Sequence, residues 1–183
     1  TSPMIIKAIY AALDKMGFEK GNILEPSMGI GNFFGMLPEK MQDSKLFGVE
    51  LDRITGRIAK QLYQKADVQI KGFEKTDFPN DFFDVAIGNV PFGQYKVNDK
   101  AYDKNNFLIH DYFFAKTLDK VRPGGVIAFI TSKGTMDKQS EDVRKYISQR
   151  AELLGAIRLP NTAFKANAGT EVTSDIIFLK KRD

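Results

Sequence analysis

Short apolar runs and amphipathic stretches alternate along most of the chain. Apolar runs bounded by glycine, proline or charged residues predict buried strands at 22–25, 46–51, 68–70, 84–89, 126–130, 153–159 and 176–179. Apolar positions at helical spacing predict helices at 3–16, 52–63, 107–121 and 137–149. Strands separated by helices predict an α/β fold with a doubly wound, mostly parallel sheet. The run at 176–179 follows a loop too short for a helix, which predicts an antiparallel C-terminal strand.

For two of the predicted helices, the spacing of apolar residues also predicts which side chains are buried. In the helix at 52–63, Ile54, Ile58 and Leu62 recur on one face and are expected to form the buried stripe. The helix at 107–121 is expected to bury one face that includes Phe107 and Val121, and to stop at Arg122-Pro123-Gly124-Gly125.

A glycine-bearing turn follows the first predicted strand, within Glu25-Pro26-Ser27-Met28-Gly29-Ile30-Gly31-Asn32. Glycines let the backbone approach a ligand closely, and free N–H groups at a helix start favour an acceptor. The next strand ends in Glu50, about 20 residues after the turn, where a carboxylate can accept hydrogen bonds from ribose hydroxyls. A glycine turn alone is a weak signal, but the acid at this distance indicates a nucleotide-like cofactor.

The strand at 84–89 leads into a stiff polar turn, Asn89-Val90-Pro91-Phe92. Open α/β sheets bind ligands outside the carboxyl ends of their strands, so this turn is the expected catalytic position. Asn89 offers a side-chain carbonyl, Val90 offers a backbone carbonyl biased to extended geometry by Pro91, and Phe92 offers a flat face. Two acceptors and a ring can hold a planar amine.

The stretch 94–106 after that turn is polar and mixes rings with cations, including Tyr95, Lys96, Tyr102 and Lys104. Such a mixture suits phosphates and unstacked bases, although a solvated surface loop is the alternative. The formal charge of +4 gives a polyanionic partner only weak support. The chain has no cysteine and no apolar run long enough to span a bilayer, so a soluble, cytoplasmic protein is expected.

The order of these features resembles the S-adenosylmethionine-dependent methyltransferases that modify the N6 amine of adenine in DNA. Their Asn-Pro-Pro-Tyr motif is written here Asn89-Val90-Pro91-Phe92, with changes at its second and fourth positions. The resemblance covers nearly the whole chain. It implies a Rossmann-like, seven-stranded methyltransferase fold, S-adenosylmethionine as cofactor and DNA as substrate, as in restriction-modification systems.

The same resemblance implies roles for individual residues. Asn89, Val90, Pro91 and Phe92 would be catalytic, and Phe164, Tyr95 and Lys96 would contact the substrate. The cofactor would be held by Thr1, Pro3, Glu25, Pro26, Gly29, Gly31, Asn32, Glu50, Leu51, Phe73, Ile109 and Phe113. The family usually has an aspartate before the phenylalanine of the third strand, whereas Gly72 precedes Phe73 here and Glu74 follows it. Phe113 and Phe164 could instead be core aromatics, because a chain with 15 phenylalanines must bury most of them.

Other functions are compatible with the same sequence features. Methylation of a glutamine side-chain amide in a protein uses a similar motif on the same fold, and a non-catalytic cofactor- or DNA-binding module of a larger protein is a further alternative. A dinucleotide oxidoreductase would explain the glycine turn and Glu50 but not Asn89 to Phe92. Residues 1–183 are expected to form a single domain without a target-recognition domain, so sequence specificity would come from further domains or a partner.

Overall fold

The computed structural model describes residues 1–132, 135, 141–159 and 174–183. The strands are β1 (Asn22–Glu25), β2 (Lys45–Glu50), β3 (Asp67–Ile70), β4 (Phe83–Asn89), β5 (Val121–Ser132), β6 (Ala151–Leu159) and β7 (Ser174–Lys181). The helices are α1 (Pro3–Lys15), α2 (Asn32–Gly35), α3 (Arg53–Leu62), α4 (Ile109–Lys120) and α5 (Asp142–Arg150). Short 3-10 turns lie at Glu39–Met41, Phe73–Lys75 and Asp103–Asn105.

The seven strands form one sheet in the order β3-β2-β1-β4-β5-β7-β6. Neighbours from β3 to β5 pair in parallel, and β7 pairs antiparallel with both β5 and β6. This arrangement confirms the predicted Rossmann-like fold with an antiparallel C-terminal strand. The strand order reverses at β1, whose neighbours are β2 and β4, and ligands of open α/β sheets bind at such a switch point.

The core lies on both faces of the sheet because successive residues of a strand point to opposite faces. Ile23 packs in the cluster that contains Ile9 and Leu13 of α1, whereas the adjacent Leu24 packs with Phe114 of α4. Helix α1 begins where Ser2 caps the backbone N–H of Ile5 and proline occupies the first helical turn. No helix within the described ranges is long and apolar enough to cross a membrane.

The predicted buried stripe of α3 is wrong. Ile54, Ile58 and Leu62 are 73%, 45% and 59% exposed, and the residues of α3 that are buried are Gly56 and Ala59. A Cβ added to Gly56 would lie 2.9 Å from Cγ1 of Ile70 on β3, so this face of the helix must be small for close approach to the sheet. The helix therefore turns its large apolar side chains outward.

The predicted limits of the helix at 107–121 also need correction. Helix α4 begins at Ile109, so Phe107 precedes it, and Val121 already belongs to β5, where it pairs with Phe83. The segment Arg122–Gly125 forms an irregular part of β5, because Val85 of β4 pairs next with Val126. Of the helix predicted at 137–149, residues 137–140 lie outside the described residues.

Candidate active site

Three polar residues each end one of three adjacent parallel strands. Glu25 is the last residue of β1, Glu50 of β2 and Asn89 of β4, and β1 lies between the other two strands. The carboxyl ends of parallel strands meet at one edge of the sheet, so the structure brings these predicted residues to the same edge. Glu25 and Glu50 are 25 residues apart in the sequence, and Glu50 and Asn89 are 39 residues apart. The pairing of their strands in the sheet brings them together.

The glycine turn after β1 is held by the end of β2. Gly29 has a left-handed φ of 58°, and its backbone N–H donates to Oε1 of Glu50 at 2.9 Å. The other oxygen of Glu50 accepts from the backbone N–H of Asp52 at 2.7 Å. Gly31 has a φ of 90°, and a Cβ there would lie 2.3 Å from the Tyr63 ring, so both conformation and space require glycine.

Glu25 is a buried carboxyl group, 2% exposed, beside the glycine turn. Burial raises its pKa well above the ordinary value, and the nearby charge of Glu50 raises it further. Its Oε1 atom has no hydrogen-bond partner among the described residues. Gly88 and Pro26 border it, and a Cβ on Gly88 would lie 3.3 Å from Cγ of Glu25. An orphaned buried acceptor at this point fits a cofactor that brings N–H donors or positive charge.

The Asn-Val-Pro-Phe turn continues directly from β4. Asn89 Nδ2 donates to Oγ1 of Thr1 at 3.3 Å, so the predicted N-terminal contact and the predicted catalytic amide lie together. The backbone N–H of the buried Val90 donates to the carbonyl of Ile130 on β5. Phe92 is 39% exposed. The Val90 backbone N–H and the Asn89 side-chain N–H thus have partners within the protein, while the Asn89 side-chain carbonyl makes no hydrogen bond with any described residue.

The residues predicted to border the cofactor's adenine differ in exposure. Phe73, Ile109 and Phe113 are buried in one core cluster, and the Phe73 and Phe113 rings lie 5.0 Å apart. Their contact with a cofactor stays a prediction, since both rings also serve the core. Leu51 is 72% exposed directly after Glu50.

The position of the aspartate that Gly72 replaces is filled by another acid. A Cβ added to Gly72 would lie 2.2 Å from Oε1 of Glu74. The half-buried Glu74 carboxylate makes no hydrogen bond or ion pair with any residue that the structure describes. Glycine at 72 therefore leaves room for the carboxylate of Glu74 at the end of β3.

The remaining predicted residues lie around this edge or outside the described residues. Pro3 begins α1 and Asn32 begins α2. Tyr95 and Lys96 are exposed, and Lys96 Nζ donates to Oδ1 of Asn106 at 2.6 Å. Phe164 lies outside the described residues.

Sequence reasoning missed a buried polar group behind the site. Lys116 of α4 is only 4% exposed, and its ammonium donates to Asp99 as well as to the carbonyls of Phe73 and Thr76. Tyr112 donates to the same oxygen of Asp99 at 2.6 Å. A lysine within the mostly apolar stretch Tyr112-Phe113-Phe114-Ala115-Lys116 was the signal in the sequence, because a buried lysine needs partners.

Comparison with known proteins identifies the family. The sequence profile of the Eco57I restriction-modification methylase family matches residues 32–164. The chain belongs to the Eco57I restriction-modification methylase family. The match spans the end of the glycine turn, Glu50 and the Asn-Val-Pro-Phe turn, and it confirms the predicted class of S-adenosylmethionine-dependent methyltransferase domain.

Two individual proteins are also similar in sequence to this chain. Over 187 residues the chain is 34% identical to the Defense against restriction protein B of Escherichia phage P1, covering 99% of the chain and 8% of that protein. It is 26% identical to the rRNA N(6)-adenosine-methyltransferase metl-5 of Caenorhabditis elegans, covering 100% of the chain and 87% of that protein. The chain thus spans a small fraction of the phage protein and most of the nematode protein.

The fold of this chain is also found in solved structures. A modification subunit of a putative type I restriction enzyme from Vibrio vulnificus YJ016 superposes with a TM-score of 0.77 at 17% identity. The superposition covers 96% of this chain and 43% of that subunit. This likeness supports the fold.

Proposed function

We propose that this domain transfers a methyl group from S-adenosylmethionine to the N6 amine of adenine in DNA. The observation that supports the proposal is that Glu25 and Asn89 end neighbouring strands, so the Asn89 amide lies at the same edge of the sheet as the carboxyl group that we assign to the cofactor. The name of the nematode relative, an rRNA N(6)-adenosine-methyltransferase, supports the adenine amine as the acceptor. The restriction-modification family supports DNA as the polymer.

The residues assigned to the cofactor suit its polar groups. Glu50 is poised for the ribose hydroxyls, because carboxylates accept strong charge-assisted hydrogen bonds. Glu25 would face the cationic methionine end, where positive charge stabilises its carboxylate. Bound S-adenosylmethionine supplies an electrophilic methyl group on a sulfonium.

The Asn-Val-Pro-Phe turn would activate the acceptor amine. An exocyclic adenine amine is a poor nucleophile because its lone pair is delocalised into the ring. Hydrogen bonds from its two N–H groups to the Asn89 side-chain carbonyl and the Val90 backbone carbonyl favour a pyramidal nitrogen, whose lone pair is free to attack. The base must leave its stack to reach this turn, and Phe92 would replace the lost stacking.

Sequence recognition would come from elsewhere in the assembly. The chain covers 8% of the phage protein and 43% of the Vibrio subunit, and most of both proteins lies outside the shared domain. We place target recognition in further domains or in a partner, and the reaction in the cytoplasm.

The test is transfer of tritiated methyl from S-adenosylmethionine to single- and double-stranded DNA, with ribosomal RNA and protein substrates run in parallel. We expect adenine-containing DNA to be labelled, and Asn89→Ala to lower turnover by roughly 100-fold or more, as when one preorganised hydrogen-bonding group is deleted from a transition-state site. Asn80→Ala, near the opposite end of β4, is the matched control and should retain turnover.

The parallel substrates discriminate between the alternatives. Labelling of RNA or of a glutamine amide in preference to DNA would overturn the substrate assignment while leaving the methyltransferase chemistry intact. Cofactor binding without transfer to any substrate would make the domain a non-catalytic module.

A further inference from the structure

Lys116 is a buried ammonium that joins separate segments of the chain. Its Nζ lies 2.9 Å from the Phe73 carbonyl and 3.2 Å from the Thr76 carbonyl, both in the segment after β3. The same nitrogen lies 3.1 Å from Oδ2 of Asp99, in the loop that follows the Asn-Val-Pro-Phe turn. An ammonium has three donors, so these acceptors use all of them.

Asp99 organises its own loop while it binds Lys116. Its Oδ1 accepts from the backbone N–H of Ala101, and its carbonyl accepts from the backbone N–H groups of Tyr102 and Asp103. In return, the Asp103 carboxylate accepts from the backbone N–H of Asp99 at 2.8 Å. The carboxylates of Asp99 and Asp103 therefore fold the segment 99–103 of the loop, while the Tyr95 carbonyl accepts from the backbone N–H of Ile109 at the start of α4.

Burial and the Asp99–Lys116 ion pair shift the pKa of each of these two groups in opposite directions. Burial by itself raises the pKa of Asp99, but the hydrogen bonds from Tyr112 and Lys116 outweigh it and hold the pKa below its ordinary value. Burial lowers the pKa of Lys116, and the Asp99 carboxylate opposes that shift. The Lys116 ammonium also lies 5.1 Å from the centre of the Phe73 ring, which adds a cation–π contact.

We propose that Asp99 and Lys116 are positioning residues that couple the Phe73–Thr76 segment, which we assign to the cofactor's adenine, to the loop after the Asn-Val-Pro-Phe turn, whose Tyr95 and Lys96 we assign to DNA. One ammonium holds the Phe73–Thr76 segment on one side and the base of the loop on the other. A cofactor that orders the Phe73–Thr76 segment thereby orders the loop that contains Asp99. By thermodynamic linkage, DNA bound to that loop tightens cofactor binding by the same factor. The proposal rests on the proposed function, because it takes S-adenosylmethionine and DNA as the two ligands.

The experiment measures binding of a fluorescein-labelled single-stranded oligonucleotide with and without saturating S-adenosylhomocysteine, which cannot react. We expect the cofactor product to tighten oligonucleotide binding by about 5-fold or more in the parent protein, the lower end of typical coupling. In Asp99→Asn the ratio should fall to near one, while the affinity for S-adenosylhomocysteine alone changes less than about 2-fold. Tyr112→Phe, which keeps the ion pair, should give an intermediate ratio.

The controls separate positioning from charge and from misfolding. Removing a negative charge by itself strengthens binding of a polyanion, so weaker oligonucleotide binding by Asp99→Asn in the presence of S-adenosylhomocysteine has the opposite sign to a simple charge effect. Asp77→Asn makes the same charge change in an exposed residue and should keep the parent's ratio. Circular dichroism spectra and melting temperatures identify any variant that fails to fold, in which case Tyr112→Phe carries the test.

The possible results distinguish the coupling itself, the role of Asp99 in it, and the proposed function. A ratio near one in the parent protein, with both ligands bound, would overturn the coupling and leave the proposed function standing. An unchanged ratio in Asp99→Asn would remove Asp99 from the coupling. Failure of the parent protein to bind either ligand would instead count against the proposed function.

Discussion

The Glu50 carboxylate accepts a hydrogen bond from the backbone N–H of Gly29 at 2.9 Å, so the acid that ends β2 holds the turn that follows β1. With its second oxygen bound to the N–H of Asp52, Glu50 is fixed before any ligand arrives. A fixed acceptor loses little side-chain freedom on binding, which favours its use as a ribose contact.

Replacement of Glu50 should therefore weaken cofactor binding. We expect Glu50→Ala to lose about 1.5–3 kcal/mol of binding free energy for S-adenosylmethionine, through the loss of charge-assisted hydrogen bonds. Isothermal titration calorimetry measures this directly. Asp67→Ala removes an acid at the start of β3 and is the matched control, and equal affinity of Glu50→Ala and this control would remove Glu50 from the cofactor site.

Phe92 should contribute through its ring face alone. Phe92→Ala is expected to lose about 1–3 kcal/mol of affinity for single-stranded DNA, the usual worth of base–aromatic stacking, whereas Phe92→Tyr should be tolerated. Fluorescence anisotropy with an adenine-containing oligonucleotide provides the measurement. Equal losses in the two variants would contradict stacking by the ring.

Lysines of the loop should contribute to the salt dependence of DNA binding. If Lys96 neutralises a phosphate, Lys96→Ala should reduce the slope of log affinity against log salt by about one. Lys40→Ala removes an exposed lysine that pairs with Asp14 of α1 and should leave the slope unchanged. Binding that does not depend on salt would return the loop to a role as solvated surface.

The raised pKa of Glu25 has a defined effect on stability. The folded protein without cofactor holds this proton more tightly than the unfolded chain, so the contribution of Glu25 is fully present below its unfolded pKa and is lost as pH rises through the folded pKa. Glu25→Gln should therefore become increasingly stabilising, relative to the parent, as pH rises above the ordinary value of 4.5. Denaturant unfolding at several pH values tests this.

The same substitution should have the opposite effect on the cofactor complex. Glu25→Gln removes the carboxylate that a sulfonium and an ammonium would stabilise, so S-adenosylmethionine should bind less tightly. Proton release on binding should be seen as a buffer-dependent enthalpy in the parent and not in the variant. A buffer-independent enthalpy in the parent would contradict deprotonation of Glu25 on binding.

The exposed apolar face of α3, formed by Ile54, Ile58 and Leu62, should tolerate polar substitutions, whereas its small buried face should not tolerate larger side chains. Ile58→Gln should change the free energy of unfolding by no more than about 0.5 kcal/mol, as at other surface positions. Ala59→Leu should cost about 1–3 kcal/mol, because a larger side chain must fit against the sheet. Chemical denaturation compares the two variants, and a larger loss in Ile58→Gln would restore the buried stripe that the sequence suggested.

The sequence by itself determined the strands at the centre of the sheet and the position of the candidate site at their ends. An apolar run such as Asp84–Asn89 has few alternatives to a buried strand, and the glycine turn and the Asn-Val-Pro-Phe turn mark the ends of β1 and β4. Once parallel order is accepted, Glu25, Glu50 and Asn89 must share an edge, because parallel strands align their carboxyl ends. These conclusions depend on local pattern and on one topological rule.

Only the tertiary structure decided which face of α3 is buried and what lies behind the site. Helical spacing shows that Ile54, Ile58 and Leu62 share a face, but the distance to β3 selects the face with Gly56 and Ala59. Likewise Asp99 and Lys116 are 17 residues apart in sequence, and their hydrogen bond forms because the loop returns onto α4. A lysine in an apolar stretch signals that partners are needed, but which residues pair with it and which helix face fits the sheet depend on the assembled chain.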